Sequence, residues 1–245
     1  MSTKKITMLI AAALMTLSAS SAFAAFGDYD LIRVISDKTT GSTLEIATDL
    51  GNVTTLAGQT NVKVGSVADA FTNFTQGHAL TNLSVNYYAV QGDSFTGSLY
   101  IGTSASNPVA AGSYGTPELM SGINSYYAGL TLASGSTSTV IGNNTTNGSF
   151  GSLGDLTSYN GFAAFGNTNL SLANLTAANP VKASVYLFGD IMNGGDGSKV
   201  LDLTTNLDGS TTINAAATPT PIPAAAWLLG SGLMGLFGIR RKINA

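Results

Sequence analysis

The chain contains no cysteine. Disulfides, thiolate metal sites and thiol chemistry are therefore excluded, and the fold must be held by burial or by bound ions. There is one histidine, His78, which excludes a pair of histidine ligands from a single chain. Set in Thr75-Gln76-Gly77-His78-Ala79-Leu80, it reads as a polar loop residue. No G-x-S-x-G elbow accompanies it. Between residues 25 and 217 there is neither a G-x-x-x-x-G-K phosphate loop nor a G-x-G-x-x-G dinucleotide fingerprint. Charge is scarce, at 9% of residues, and Glu45 and Glu118 are the only glutamates. The one tryptophan, Trp227, falls near the C-terminus.

Two segments have the marks of targeting sequences. Lys4 and Lys5, the apolar run from Ile6 to Leu17 and the small-x-small site Ala22-Phe23-Ala24 form the three regions of a secretory signal peptide, with cleavage expected after Ala24. At the other end, Pro219, Pro221 and Pro223 lead into an uncharged run, Ala224 to Ile239, followed at once by Arg240, Arg241 and Lys242. At 1.5 Å per residue such a helix is roughly 24 Å long, just enough to span a bilayer core when the bases snorkel. The positive-inside bias keeps those bases cytoplasmic and the preceding domain outside.

The run Pro221-Ile222-Pro223-Ala224-Ala225-Ala226-Trp227-Leu228-Leu229-Gly230-Ser231-Gly232, with the apolar stretch and basic cluster after it, resembles the PEP-CTERM class of C-terminal sorting signals. Within that class it is closest to the variant written V-P-L-P-A, departing from it at Thr220 and Ile222. The resemblance implies an exported Gram-negative protein. It further implies an exosortase-type membrane transpeptidase as processing partner, and association with exopolysaccharide or biofilm matrix. An ordinary single-span anchor is the alternative reading of the same tail.

Between these ends lie residues 25–217. All thirteen acids fall there, against only Arg33, Lys38, Lys63, Lys182 and Lys199 as bases, a net charge of about eight negative units. This charge argues against nucleic acid or anionic lipid as a partner, because both call for a basic surface. Low charge with abundant Gly, Ser, Thr and Asn is the composition of strands and turns. The expected fold is mainly β, a single antiparallel sandwich or jelly-roll-like domain with one short helix.

Leu31 to Ile35 and the alternating Thr43 to Leu50 read as a hairpin about the turn 37–41, with Leu44, Ile46, Thr48 and Leu50 on one face. Leu83 to Val90 and Ser98 to Ile101 read as a second strand pair, placing Tyr87 and Tyr88 on opposite sides, one in the core and one exposed. Thr116 and Pro117 open the one helical pattern, with Leu119, Ile123, Tyr126, Tyr127 and Leu130 on a single face. The low-complexity stretch Ala133 to Gly154 reads as a long surface loop or a turn between short strands. Val181 to Phe188 and Lys199 to Leu207 complete the sheet as a hairpin with a Gly-rich loop.

In that loop Asp190, Asn193 and Asp196, with neighbouring Asp202, are hard-oxygen groups of the kind calcium takes. Their spacing fails the calcium-loop pattern, and turn chemistry is the expected role, with no metal and no cofactor. The function expected is that of an exported structural protein of the cell surface or extracellular matrix, without enzymatic activity. A carbohydrate-binding module, using Tyr88, Tyr114 and Tyr159 as sugar platforms, is the alternative. A glycoside-processing enzyme built on paired carboxylates is the remote one.

Overall fold

A computed structural model describes residues 26–39, 44–65, 74–75, 78–92, 97–110, 123, 125–127, 129–130, 138–141, 168–189 and 195–216. The signal-peptide and sorting-tail residues lie outside these. Met1–Ala215 forms one compact unit and Ala216–Ala245 a second, and every element among the described residues belongs to the first.

The hairpin read at the start of the mature chain is present. Strands β1 (Asp30–Asp37) and β2 (Glu45–Asn52) pair antiparallel, with Val34 opposite Ala47 and Ile35 opposite Ile46. A short helix, α1 (Val53–Ala57), follows directly, then β3 (Val62–Val64) and a 3-10 turn at Leu80–Asn82. Next come β4 (Leu83–Gln91), β5 (Ser98–Thr103), β6 (Val109–Ala110), β7 (Ser138–Ile141) and β8 (Leu170–Ser171). The chain finishes with β9 (Val181–Phe188), β10 (Gly195–Asp196), β11 (Ser198–Thr205) and β12 (Thr211–Ile213).

Ten of these strands form one sheet in the order β3-β12-β11-β9-β5-β4-β1-β2-β7, with β8 beside β4. Every pairing in it is antiparallel. A second, two-stranded sheet joins β10 to β6.

The large sheet curls until it is nearly barrel-shaped. Side chains on β1 and β4 cross the interior to the far strands: Arg33 reaches Gly209 and Thr211, and Tyr87 reaches Thr205 and Thr211. Gly65, after β3, lies against Leu50 and Thr48 of β2 with φ of +63°, so a Cβ there would be both strained and in collision with Leu50. Within the wall, the Tyr87 ring covers Gly102, where a Cβ would stand 2.7 Å from that of Tyr87.

Curling a sheet gives it an inner and an outer face, and here both are buried. Leu31, Ile35, Ile46, Val85, Leu201 and Leu203 fill the interior. Ile32, Val34, Tyr88, Ile101 and Phe188 form a second cluster outside, covered by Phe26, Ile123 and Tyr127. This explains why β1 reads Leu-Ile-Arg-Val-Ile without a polar alternation: a strand covered on both faces needs apolar side chains at both parities.

The covering also corrects the sequence reading of the tyrosine pair. Both Tyr87 and Tyr88 are buried, because the outer face at Tyr88 packs under Tyr127, with ring centroids 5.5 Å apart. Ile123, Ser125, Tyr126 and Tyr127 are helical, inside the stretch read as the amphipathic helix, whose other residues are mostly outside the described set. Helix α1 was not apparent in sequence. Ser138–Ile141, within the stretch read as a long surface loop or a turn between short strands, is one such short strand and pairs with β2. The strand read as Lys199 to Leu207 ends at Thr205, and Leu207 stands in the following turn, exposed.

Candidate functional site

Of the residues singled out by sequence, Ala22, Ala24, Pro221, Pro223, Ala224, Trp227, Gly230, Gly232, Arg240, Arg241 and Lys242 lie outside the described residues, as do Glu118, Tyr114, Tyr159, Asp190 and Asn193. Asp196 is exposed and sits in β10, paired with Val109. The Asp202 carboxylate accepts from the Ser184 hydroxyl at 2.6 Å and pairs with Lys199 Nζ at 2.8 Å, which engages it locally. Among the described residues no three His, Cys, Asp or Glu side chains cluster to hold a metal ion, and no helix is long and apolar enough to cross a membrane. Tyr88, offered as a sugar platform, is instead core, and burial pushes its hydroxyl well above the usual tyrosine range, with Glu45 and Asp30 adding to the shift.

The geometry instead brings three buried polar groups to prominence. The first is Arg33, carried into the interior by the parity of β1, on the same face as Leu31 and Ile35. Its guanidinium donates to the Gly209 carbonyl at 2.6 Å and to Thr211 Oγ1 at 3.0 Å, and more weakly to Thr48 Oγ1 and the Gly65 carbonyl, both at 3.4 Å. Its Nε finds no partner among the described residues. All four acceptors are neutral, so burial lowers the Arg33 pKa, opposed by Tyr87, its cross-strand neighbour on β4, and by Asp208. Chemically this is a staple: one planar fork ties β1 to β2, to the end of β3 and to the β11–β12 turn.

The second group is Asp37 with His78. Asp37 continues the inner-face parity of β1, and its Oδ2 lies 2.7 Å from His78 Nδ1. The other oxygen accepts from the Thr39 backbone N–H at 2.8 Å and the Thr39 hydroxyl at 2.6 Å. The imidazole stacks on Phe74 at 5.1 Å and 26°. The carboxylate therefore fixes the ring through Nδ1, the arrangement in which a histidine's second nitrogen is oriented by its first.

The third is Glu45, fully buried on the outer face, whose Oε1 accepts from the Tyr127 hydroxyl at 2.9 Å. It anchors the helical residues Ile123, Ser125, Tyr126 and Tyr127 over the outer cluster. Near the opposite end of β2, burial raises the Asp49 carboxyl to about 6; the Gly51 backbone N–H opposes the shift and Asp30 adds to it.

An open cleft of about 410 Å³ lies between the β11–β12 turn and the segment before β9, lined by Lys63, Thr176, Pro180, Asn206, Leu207 and Asp208. Lys63 and Asp208 pair across it at 3.2 Å. The Asp208 carboxyl is held down at about 2, chiefly by the hydroxyl and backbone N–H of Ser210. By strand direction, the cleft and the Asp37–His78 pair share one end of the sheet, while Ile213 leads the chain out at the other.

Sequence reading missed Arg33 and Asp37 as buried partners. The one available signal was parity: Arg33 and Asp37 share the face of Leu31 and Ile35, which a two-sided apolar run obscured. No protein family, curated protein or solved structure matches this chain.

Proposed function

We propose that this chain is an exported structural protein of the cell surface or extracellular matrix, delivered through its C-terminal segment by an exosortase-type processing enzyme and associated with exopolysaccharide. The observation carrying the proposal is the tail itself, a proline-spaced, glycine-interrupted apolar run closed by Arg240, Arg241 and Lys242, which is long enough to hold a translocating chain but poorly built as a permanent anchor. The tail engages the membrane at least transiently. The mature domain supports the reading in a second way. Its buried ionisable groups Arg33, Asp37 and Glu45 are bound to protein partners, an arrangement that stabilises a fold. As the finer architecture we put forward a sandwich-like packing, in which the β1–β2–β4 half of the curled sheet faces the β11–β12–β3 half across the interior.

Intact mass measurement on the protein from native surface fractions tests the proposal. The expected species begins at Ala25 and ends near Pro221, carrying the attached processing group. A surface form that retains an unmodified Trp227-to-Ala245 segment would sink the sorting reading and leave a simple anchor.

Carbohydrate binding is the second reading, favoured by the cleft at Asn206, Asp208 and Thr176, whose amide, carboxylate and hydroxyl groups suit sugar hydroxyls. Binding of the exported protein to extracellular polysaccharide, abolished by Asn206→Ala with Asp208→Ala, would favour it. Equal retention of wild type and variant would remove it.

A further inference from the structure

Strand β4 changes partners part-way along its length. β1 occupies one side of it from Leu83 to Tyr88. On the other side β5 follows it as far as the pair Tyr88–Ile101, and β8 takes over at the pairs Val85–Leu170 and Ser84–Ser171. Asn86 and Tyr87 therefore stand at a junction, between the last pair with one neighbour and the first pair with the next. Tyr87 turns into the interior cluster with Val85 and Ala89, so strand alternation puts Asn86 on the outer face.

Two buried polar atoms meet at this junction. Asn86 is 2% exposed, and so is Thr168, two residues before β8. Asn86 Nδ2 donates to Asn169 Oδ1 at 3.3 Å, which brings the segment carrying Thr168 to the same place. Neither Asn86 Oδ1 nor Thr168 Oγ1 has a hydrogen-bond partner among the described residues. Burying such oxygens unpaired is costly, and buried waters are found where about three otherwise unsatisfied polar groups converge.

We propose that the β5–β8 junction is a binding site for one internal water molecule. The hydrogen-bond count closes for that ligand. The water donates to Asn86 Oδ1 and to the second lone pair of Asn169 Oδ1, and accepts from the Thr168 hydroxyl. Asn86, Thr168 and Asn169 are all uncharged, which suits a neutral molecule; a calcium ion takes carboxylates. The water joins β4 to the segment that enters β8. That segment delivers Leu170 and Leu172 to the interior cluster, and it is also held by the two-residue β8 ladder and by the Leu172 N–H bond to the Leu83 carbonyl at 2.9 Å. The site is independent of how the chain is exported.

Oxygen-17 relaxation dispersion on the full chain tests the site, because it counts waters that tumble with the protein and is blind to hydroxyl protons. Asn86→Leu removes the acceptor, and Thr168→Val removes the donor with little change of shape. Each variant is expected to hold about one long-lived water fewer than wild type. Hydrogen exchange at the Leu172 amide is expected to quicken about tenfold in Thr168→Val, while Val34 and Tyr88 in the sheet stay level. Should Asn86→Leu fail to fold, the nearly isosteric Thr168→Val decides the matter alone. Equal water counts in wild type and Thr168→Val would overturn the site, and a lost water with unchanged Leu172 exchange would overturn its role in joining β8 to β4.

Discussion

Single side chains show most directly what the interior demands of polar groups. Among the described residues Arg33 has no carboxylate bonded to its charge and relies on four neutral acceptors. Removing it relieves a buried charge but orphans the Gly65 and Gly209 carbonyls, each at about 1–3 kcal/mol. The orphaned carbonyls win because the guanidinium already offsets its own desolvation through those bonds. Arg33→Met should therefore lose about 2–4 kcal/mol in urea unfolding, and Arg33→Lys nearly as much, since an ammonium cannot span the fork. A Lys variant as stable as wild type would show that charge, not fork geometry, matters.

Asp49 makes the opposite case: its folded pKa, about 6, stands above the unfolded value. The folded state then binds the proton more tightly, so this group's stabilisation is full below the unfolded pKa and is lost as pH rises towards 6. Asp49→Asn keeps the acceptor for Gly51 and removes the titration. Its melting temperature should match wild type near pH 4 and exceed it at pH 7, and a gain of equal size at both would refute the assignment.

At the scale of elements, α1 shows how local chemistry starts a helix that periodicity cannot reveal. Asn52 Oδ1 accepts from the Thr54 and Thr55 backbone N–H groups at 3.1 and 3.2 Å, and Gly58 ends the helix after five residues. Five residues are too few to show a 3.6-residue repeat, and Val53-Thr54-Thr55 favours strands by propensity, so the helix exists through its cap and the burial of Val53 and Leu56. Asn52→Ala should cost about 1 kcal/mol, measured by thermal unfolding, while Asn52→Asp should cost little.

The 123–130 region depends on its match to the sheet. Ile123 and Tyr127 were legible as one helical face, but their target, the outer face around Val34 and Tyr88, was not. Tyr127→Phe removes the donor to Glu45 Oε1 and with it one bond to a buried carboxylate. A loss of about 1–3 kcal/mol is expected, with added exchange at the Ile123 and Tyr127 amides. Unchanged stability would mean that Tyr127 holds the region by packing alone.

For the whole molecule, the strand pairs β1–β2, β4–β5 and β9–β11 were readable from runs of β-branched and aromatic residues bounded by turns. Their order was not. Placing β9 between β5 and β11, and β12 between β11 and β3, joins segments far apart in the chain, and no short-range pattern encodes such a partner. The same holds for α1 and the β3 edge: Asn214 donates to the Ala57 and Gln59 carbonyls at 3.3 and 2.7 Å, which only chain closure brings together.

What the sequence determined by itself was composition-driven: a β domain, acidic and free of cysteine, between a signal-like start and an apolar, basic-ended tail. These follow from local periodicity and from charge, which need no partner to be read. Only the tertiary structure decided which polar residues go inside. On a one-sided sheet either Glu45 or the pair Arg33 and Asp37 would face solvent, because they lie on opposite faces of the paired strands β1 and β2. They are buried here because the sheet curls and a helical segment covers its back, so that both parities of the central strands lose contact with water and each polar group must find its partner across the fold.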